Sequence, residues 1–340
     1  MKAAVYLGVG EIRVREMPKP RPGPGDVVVK VRVAGVCGTD IKTYHRGHPS
    51  FKPPAILGHE FSGTVEEAGS KVTWLHAGDR VSVAPYLNCG KCSYCNENRG
   101  ELCENKTYLN GGAFAEFVLV PEEIARRGTV RLPDRVSFEE GALFEPLACC
   151  IRALSFLRLK ADSLLLVVGA GFMGLLNAMA ARAMFGTKNV VIAEIDPVRR
   201  QIAQDLGFAV VDPSADSGST SGTSGTLPRG EADAVIVAVG SPEAFAVVPE
   251  AVKRGGVVHI FGGMSAGANL TVPSALVHYS GVTIVGSSGF AAEDYHLAAK
   301  MVSEGRIDVR SLVGARFGLE EVEKAILATG GSVLKTVIVP

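Results

Sequence analysis

A glycine-rich turn between an apolar strand and an apolar helix constrains the fold of this chain most strongly. Residues 164–168 (LLLVV) read as a buried strand that leads into Gly169-Ala-Gly171-Phe-Met-Gly174, a match to the pattern G-x-G-x-x-G. A helix rich in Ala, Leu and Met follows, and Glu194 ends the next strand. Such glycines let the backbone approach a pyrophosphate, whose charge the helix N-terminus stabilises. The pattern predicts a dinucleotide-binding unit; glycines that serve helix–sheet packing alone are the alternative.

The acidic residue after the second strand indicates which dinucleotide is bound. Glu194 can accept hydrogen bonds from both ribose hydroxyls and would repel a 2′-phosphate, which favours NAD over NADP. Arg199 and Arg200 moderate this preference, because an arginine could hold that phosphate. We therefore expect NAD, with NADP as the alternative.

Strands and helices alternate from about residue 150 onward, whereas the first half of the chain is rich in short β-branched strands. Further strands are predicted at 189–194, 233–240, 256–263 and 282–288, and helices at 197–206, after Pro242 and at 291–303. This alternation predicts an α/β fold with a doubly wound parallel sheet. The Ser/Gly/Thr-rich stretch 214–230 reads as a flexible surface loop where such a fold usually has a helix.

Charge and hydropathy argue against several classes of partner. The 35 Lys and Arg residues balance 35 Asp and Glu residues, so nothing draws the chain generally to nucleic acid or anionic membranes. The N-terminus has no apolar run typical of a signal peptide, and no stretch approaches the roughly 20 apolar residues of a membrane span. We expect a cytoplasmic protein that acts on a small molecule, with no nucleic-acid or membrane partner.

Four of the seven cysteines are clustered between residues 89 and 103. Two successive C-x-x-C steps (Cys89, Cys92, Cys95) can turn three thiolates toward one point, and Cys103 can close a tetrahedron around Zn²⁺. In a reducing compartment clustered cysteines are more often metal ligands than disulfides. Reactive or disulfide-bonded cysteines and an iron–sulfur cluster are the alternatives. Because four protein ligands leave no open position, we predict a structural zinc.

A second metal site, with chemistry, is predicted elsewhere. Cys37 follows a predicted strand, His59 and Glu60 lie in the glycine-flanked run 57–63, and Glu145 lies in an apolar stretch. On spacing alone, a buried thiol and a packed histidine are the simpler interpretation. The carboxylates favour a metal, because a buried acid needs a partner and a Cys/His/carboxylate set with one water is a catalytic zinc arrangement.

Taken together, these residues resemble the zinc-dependent medium-chain dehydrogenases, nearest the polyol (sorbitol-type) and threonine dehydrogenase branch. The shared motifs, in the family's order, are 22–31 (PGPGDVVVKV), 34–40 (AGVCGTD), 58–63 (GHEFSG), 78–81 (GDRV), the four cysteines, 112–117 (GAFAEF), 145–148 (EPLA) and the glycine turn. The resemblance implies a GroES-like β-rich catalytic domain over 1–150 with a structural zinc lobe at 88–104, a Rossmann NAD-binding domain over 151–288, and a return to the catalytic domain over 289–340. It also implies an active site in the cleft between the domains and a homodimer or homotetramer.

The resemblance assigns roles residue by residue. Cys37 and His59 match ligands of the catalytic zinc, and Glu60 matches the third ligand of sorbitol-type members. The glutamate that corresponds to Glu145 binds the zinc water or, in other branches, the metal itself, so both carboxylates stay candidates. Thr39 matches the hydroxyl that passes the substrate proton outward. The expected cofactor contacts are Gly169, Gly171, Phe172, Met173, Gly174, Glu194, Arg199, Val239, Gly262, Gly263, Met264, Gly286, Ser287 and Ser288.

One departure from the family pattern concerns the proton path. The family often has a histidine five residues after the zinc cysteine, and this chain has Lys42 there, with His45 nearby. The relay then ends at His45 or in water. We predict zinc-dependent hydride transfer from a secondary hydroxyl of a polyol, sugar or hydroxy amino acid to NAD. The alternatives are an NADP(H)-dependent ketone or aldehyde reductase on the same scaffold and a non-enzymatic zinc-bearing binding protein.

Overall fold

A computed structural model describes residues 1–214, 227–265 and 267–340. The chain divides into two compact units, the first made of Met1–Ala148 with Phe290–Pro340 and the second of Cys149–Gly289. Most of the predicted Ser/Gly/Thr loop lies outside the described residues. Within the described residues, no helix combines the length and apolar character that crossing a membrane requires.

The strands are β1 (Lys2–Gly8), β2 (Glu11–Glu16), β3 (Val27–Gly35), β4 (Ala55–Ile56), β5 (Glu60–Ala68), β6 (Arg80–Val83), β7 (Tyr86–Leu87), β8 (Thr107–Tyr108), β9 (Phe117–Val120), β10 (Thr129–Arg131), β11 (Leu165–Val168), β12 (Val190–Ala193), β13 (Ala209–Val211), β14 (Ala232–Val237), β15 (Val252–Ile260), β16 (Thr283–Gly286), β17 (Val313–Gly318) and β18 (Lys335–Val339). The α-helices are α1 (Gly38–Arg46), α2 (Ser93–Asn96), α3 (Glu122–Arg127), α4 (Phe138–Ala142), α5 (Phe144–Ser155), α6 (Phe172–Phe185), α7 (Pro197–Asp205), α8 (Val248–Ala251), α9 (Ser274–His278), α10 (Ala292–Ser303) and α11 (Val322–Ala328). Short 3₁₀ helices span Gly100–Leu102, Pro242–Val247, Val309–Leu312 and Leu319–Glu321.

The first unit is built on a mixed sheet in the order β10-β6-β5-β3-β18-β17, with β9 also paired to β3. Strand β3 is its centre, and its first three valines are fully buried because neighbouring elements cover both faces. Strand β18 pairs antiparallel with β3, which places Val337 opposite Gly35. Residues from the end of the chain therefore lie beside the strand that leads to Cys37.

The second unit is built on a six-stranded parallel sheet in the order β13-β12-β11-β14-β15-β16. The predicted parallel-sheet fold class is thus confirmed, and β11, buried along its whole length, is at the centre. The helix predicted after Pro242 is instead a 3₁₀ segment followed by the single turn α8. Pro249 explains the difference, because it lacks the N–H that a continuous α-helix would need at this position.

A histidine lies inside the core of the second unit. His259 on β15 is fully buried, with the rings of Phe156 and Phe261 at 5.9 and 6.1 Å. Its Nε2 lies 3.0 Å from the hydroxyl of Ser287. Burial lowers the pKa of His259 to about 4, so the ring is neutral in the folded protein at pH 7.

This histidine should make the second unit sensitive to mild acid. Between the ordinary histidine pKa of 6.5 and the folded value of about 4, the unfolded chain binds a proton that the folded chain excludes. The contribution is therefore fully present above pH 6.5, and the free energy of unfolding falls by up to about 1.4 kcal/mol per pH unit as the pH drops through this window. We expect His259→Gln to weaken this pH dependence, measured by urea unfolding followed by circular dichroism at pH 7, 6 and 5. The exposed His45→Gln is the control, and equal slopes for the two variants would contradict the assignment.

Candidate metal and cofactor sites

One buried carboxylate connects the two turns that carry the predicted catalytic ligands. Cys37 lies just before α1, and His59 directly precedes β5. Asp40 accepts hydrogen bonds from the backbone N–H groups of Cys37 (2.9 Å) and Gly58 (3.1 Å). Gly58 has a φ of +86°, and a Cβ there would lie 2.5 Å from the ring of Phe114, so the turn before His59 requires glycine. Sequence reasoning missed Asp40, although it lies within the quoted run 34–40.

The structure brings Cys37, His59 and Glu60 together. One ligand atom from each lies within 4.8 Å of the other two. A thiolate, an imidazole and a carboxylate at this separation fit Zn²⁺ with one coordination position left open. Burial alone would lower the pKa of His59, but Cys37, Asp40 and Glu145 outweigh it and raise that pKa well above 6.5. The surroundings therefore favour positive charge.

Glu60 has a buried cationic partner that sequence reasoning also missed. Its carboxylate pairs with the ammonium of Lys335, and both side chains are at most 2% exposed. Lys335 also donates to the carbonyl of Val36 at 3.0 Å. A Cβ at Gly35 would lie 2.1 Å from Glu60 Oε2, so the glycine makes room for the pair. The sequence feature that could have revealed this partner is a lysine at the start of an otherwise β-branched strand.

The remaining predicted catalytic residues lie around this cluster. Glu145 is 7% exposed in the first turn of α5, and its charge contributes to the raised pKa of His59, but it is outside the three-residue ligand cluster. Thr39 is half-buried in the first turn of α1. Lys42 and His45 are exposed on the same helix. This exposure is compatible with a proton relay that ends at His45 and with one that ends in water.

The four clustered cysteines converge on one point. The Sγ atom of Cys92 lies 3.5 Å from that of Cys95 and 3.8 Å from that of Cys103, and the sulfurs of Cys89 and Cys95 are 4.0 Å apart. Four thiolates about 2.3 Å from a tetrahedral zinc would be about 3.8 Å from one another. In the described part of the chain no cysteine forms a disulfide. The geometry therefore fits a closed tetrahedral metal site.

The protonation of these thiols supports the same interpretation. The N–H of Lys91 is the main reason why the pKa of Cys89 falls to about 6. Cys92 receives an N–H from Cys95, but its burial and the adjacent thiols outweigh that bond and raise its pKa to about 11. Ionisation of Cys89 is therefore favoured while Cys92 keeps its proton. A divalent cation would allow all four to ionise together.

The glycine turn of the second unit forms a cradle at the start of α6. Gly169 has a φ of +101°, and a Cβ on Gly174 would lie 1.9 Å from the carbonyl oxygen of Gly169. A Cβ on Gly171 would meet nothing within 4 Å, so open space precedes the helix, where Phe172 and Met173 begin the first turn. The dipole of the helix N-terminus and the open space in front of it fit a pyrophosphate.

The side chain of Glu194 is fixed beside the glycine turn by hydrogen bonds from backbone amides. The carboxylate is buried, and its two oxygens accept from the N–H groups of Ala170 (2.7 Å) and Asp196 (2.9 Å). Arg200, one of the two arginines that could accept a 2′-phosphate, pairs with Asp212 at 2.8 Å. Arg199 lies in the first turn of α7.

The other predicted cofactor residues lie at the carboxyl ends of neighbouring parallel strands. Val239 follows β14, and a Cβ on Gly262 would lie 2.4 Å from the carbonyl carbon of Val239. The members at the ends of β15 and β16 are Gly262, Gly263, Met264, Gly286, Ser287 and Ser288. Ligands of open parallel sheets bind at this edge.

Comparison with known proteins identifies the family of this chain. A family model described as "Alcohol dehydrogenase GroES-like domain" matches residues 23–134, and one described as "Zinc-binding dehydrogenase" matches residues 173–304. L-Idonate 5-dehydrogenase of Vitis vinifera is 32% identical over 98% of this chain and 93% of its own length. The chain belongs to the zinc-dependent medium-chain dehydrogenase family. Sorbitol dehydrogenase of Halalkalibacterium halodurans is likewise 32% identical and covers 100% of this chain and 99% of its own.

Solved structures agree with this assignment. A putative zinc-binding dehydrogenase from Sinorhizobium meliloti 1021, bound to NADP, is 33% identical with a TM-score of 0.89, over 100% of this chain and 99% of its own. The 2R,3R-butanediol dehydrogenase of Bacillus subtilis is 29% identical with a TM-score of 0.85, over the same shares of the two chains. The predicted family, the GroES-like and Rossmann fold class and the predicted enzyme class are confirmed. This medium-chain dehydrogenase is an alcohol oxidoreductase acting on CH–OH groups.

The Glu60–Lys335 ion pair should contribute most to the free energy of unfolding in the metal-free protein. Lys335→Met leaves a buried carboxylate without its cation, which typically costs about 3 kcal/mol. We expect a loss of this size in urea unfolding with EDTA present, followed by the fluorescence of Trp74, which lies in the first unit and is the chain's one tryptophan. The control is Lys324→Met, whose side chain is 72% exposed. Equal losses for the two variants would show that the pair is not stabilising.

Proposed function

We propose that this dehydrogenase oxidises a secondary hydroxyl of a polyol, sugar or hydroxy amino acid with NAD. The observation that carries the proposal is the convergence of Cys37, His59 and Glu60 on one point. Three protein ligands leave a position for a substrate oxygen. The relatives named L-idonate 5-dehydrogenase, sorbitol dehydrogenase and D-xylulose reductase support a polyol or a related compound as the substrate.

We further propose two zinc ions per chain with different roles. Cys37, His59 and Glu60 would hold the catalytic ion. Glu145, which is outside that ligand cluster, would face the open position. The structural ion would be held by Cys89, Cys92, Cys95 and Cys103. The family's habit supports a homodimer or homotetramer, and this and the cytoplasmic location stay predictions.

The chain's own residues would bind, orient and deprotonate the substrate. When bound, zinc supplies the Lewis acidity that lowers the pKa of an alcohol, and NAD supplies the hydride acceptor. Thr39 Oγ would accept the hydroxyl proton and pass it outward along α1. Asp40 would keep Cys37 and His59 at a fixed separation through its two backbone contacts.

The choice of cofactor is proposed from the second unit. Glu194 is buried against the glycine turn, where a carboxylate would accept from ribose hydroxyls and repel a 2′-phosphate. Arg200 is already paired with Asp212, which limits its use as a phosphate ligand. The NADP in the Sinorhizobium meliloti structure keeps NADP-dependent ketone or aldehyde reduction as the second candidate.

The reaction can be tested with a panel of polyols, aldonates, sugars and threonine. We expect at least one substrate to give NADH formation, measured at 340 nm, with two zinc ions bound per chain. Cys37→Ser should lower kcat/KM by at least about 10³-fold and leave one zinc, because it removes a ligand of the catalytic ion only. Cys149→Ser, a half-buried cysteine on α5, is the matched control and should keep both zinc ions and activity.

The same panel separates the two carboxylates. Glu60→Gln should reduce zinc content toward one ion per chain, whereas Glu145→Gln should keep both ions and lose turnover. A protein that binds zinc and NAD but oxidises no member of a broad alcohol panel would contradict the proposed function. Loss of zinc in Glu145→Gln alone would reverse the assignment of the third ligand.

Cofactor preference can be tested at the end of β12. Glu194→Ala removes the carboxylate that would bind ribose, and hydrogen bonds to charged groups typically contribute about 1.5–3 kcal/mol. We expect kcat/KM for NAD to fall about 10- to 100-fold relative to kcat/KM for NADP. The ratio is the readout, because the substitution also removes acceptors from two backbone amides. Glu231→Ala, an exposed acid in the same unit, is the control, and an unchanged ratio in Glu194→Ala would reject the role.

A further inference from the structure

Asn88 makes one contact to the four-cysteine site and another to a helix far along the chain. The side chain is only 4% exposed. Its Oδ1 accepts from the backbone N–H of Ala292 at 3.0 Å, and its Nδ2 donates to Cys95 Sγ at 3.5 Å. The Ala292 amide requires an acceptor, so the amide group is oriented with its nitrogen toward the sulfur.

The neighbouring residues strengthen the same connection. Tyr86 accepts at its hydroxyl from the N–H of Phe290 at 2.8 Å, and the two rings stack with centroids 4.6 Å apart. A Cβ on Gly100 would lie 2.8 Å from Cβ of Ala291 and 2.9 Å from Nδ2 of Asn88. The cysteine lobe, residues 88–104, therefore lies directly against residues 290–292, where the chain re-enters the first unit.

This segment continues into the core beside the candidate catalytic carboxylate. Tyr295, on α10, is buried and stacks on Phe290 at 5.7 Å. Its hydroxyl lies 2.6 Å from Ser82 Oγ, and its ring meets Phe144 edge-on at 6.3 Å. Phe144 directly precedes Glu145 at the start of α5.

We propose that Asn88 is a positioning residue that joins the metal of the four-cysteine site to the first turn of α10. A bound cation would fix Cys95 as a thiolate, and an N–H donor to a metal thiolate orients the ligand. The same side chain then holds the amide of Ala292, one of the N–H groups without a partner inside the helix. Metal bound by the cysteines therefore orders residues 290–295.

The proposal rests on a metal at the four cysteines and not on the dehydrogenase reaction. It is tested without activity, in a Cys37→Ser background where metal removal affects the cysteine lobe alone. Zinc is removed with EDTA while the thiols are kept reduced, and hydrogen exchange is measured on peptides that cover 289–296 and 232–237. We expect at least 10-fold faster exchange at 289–296, reversed by added zinc, and no change in β14. Faster exchange in the lobe with none at 289–296 would overturn the proposal.

Four variants of the wild-type chain separate the two contacts of Asn88. Asn88→Leu loses both, and Asn88→Asp keeps the acceptor for Ala292 but loses the donor to Cys95. Zinc release to a colorimetric chelator should be about 10- to 100-fold faster in both, as is typical when an outer-shell partner of a metal is removed. Of these two variants, Asn88→Leu alone should speed exchange at 289–296 while zinc is still bound.

The two remaining variants are controls. Tyr86→Phe keeps the ring stack but loses the bond to Phe290, so it should speed exchange at that amide without changing zinc release. Asn105→Ala replaces an exposed asparagine directly after this lobe and should match wild type. Zinc release from Asn88→Leu within twofold of Asn105→Ala would overturn the role of Asn88. If Asn88→Leu fails to fold, the metal-removal experiment on the Cys37→Ser chain still decides the proposal.

Discussion

The candidate catalytic centre of this protein depends on one desolvated carboxylate. Asp40 has no exposed surface, and burial raises its pKa even though His59 and two backbone amides favour the ionised form. The carboxylate accepts from the amides of Cys37 and Gly58, which are 21 residues apart in sequence, and so holds their two turns at one separation. Without that bridge the thiolate and the imidazole would belong to independent loops. The metal-binding geometry is thus set by backbone contacts before any metal is bound.

Charge in the first unit is organised around two negative centres of different kinds. Near His59, the carboxylate of Glu60 forms an ion pair with the ammonium of Lys335. In the cysteine lobe the thiols compete with one another for protons, as the opposite pKa shifts of Cys89 and Cys92 show. With a zinc ion bound, the first arrangement would leave one coordination position open, whereas the second would be closed by its own four ligands. This difference distinguishes the proposed catalytic site from the proposed structural site.

Local patterns predicted much of the fold and part of the site. The glycine turn and Glu194 could be read because strand, turn and helix adjoin in sequence, and the parallel sheet followed from their alternation. The four-cysteine site could be predicted for the same reason, because its residues lie close together in sequence. The partners of site residues were not predictable, because Lys335 reaches Glu60 only through the pairing of β18 with β3, and Asn88 reaches Ala292 across more than 200 residues. The helix after Pro242 was mispredicted because the effect of Pro249 was overlooked.

The position of Lys335 has a consequence for biosynthesis. The ribosome makes Cys37, His59 and Glu60 early, then the whole second unit, and only then the strand that carries this lysine. A nascent chain must therefore keep Glu60 hydrated until β18 pairs with β3, since a buried carboxylate without its cation is costly. The cysteine lobe needs no such late residue for its ligands and can load its ion while translation continues. We therefore expect the two proposed metal sites to mature in order, with the candidate catalytic site last.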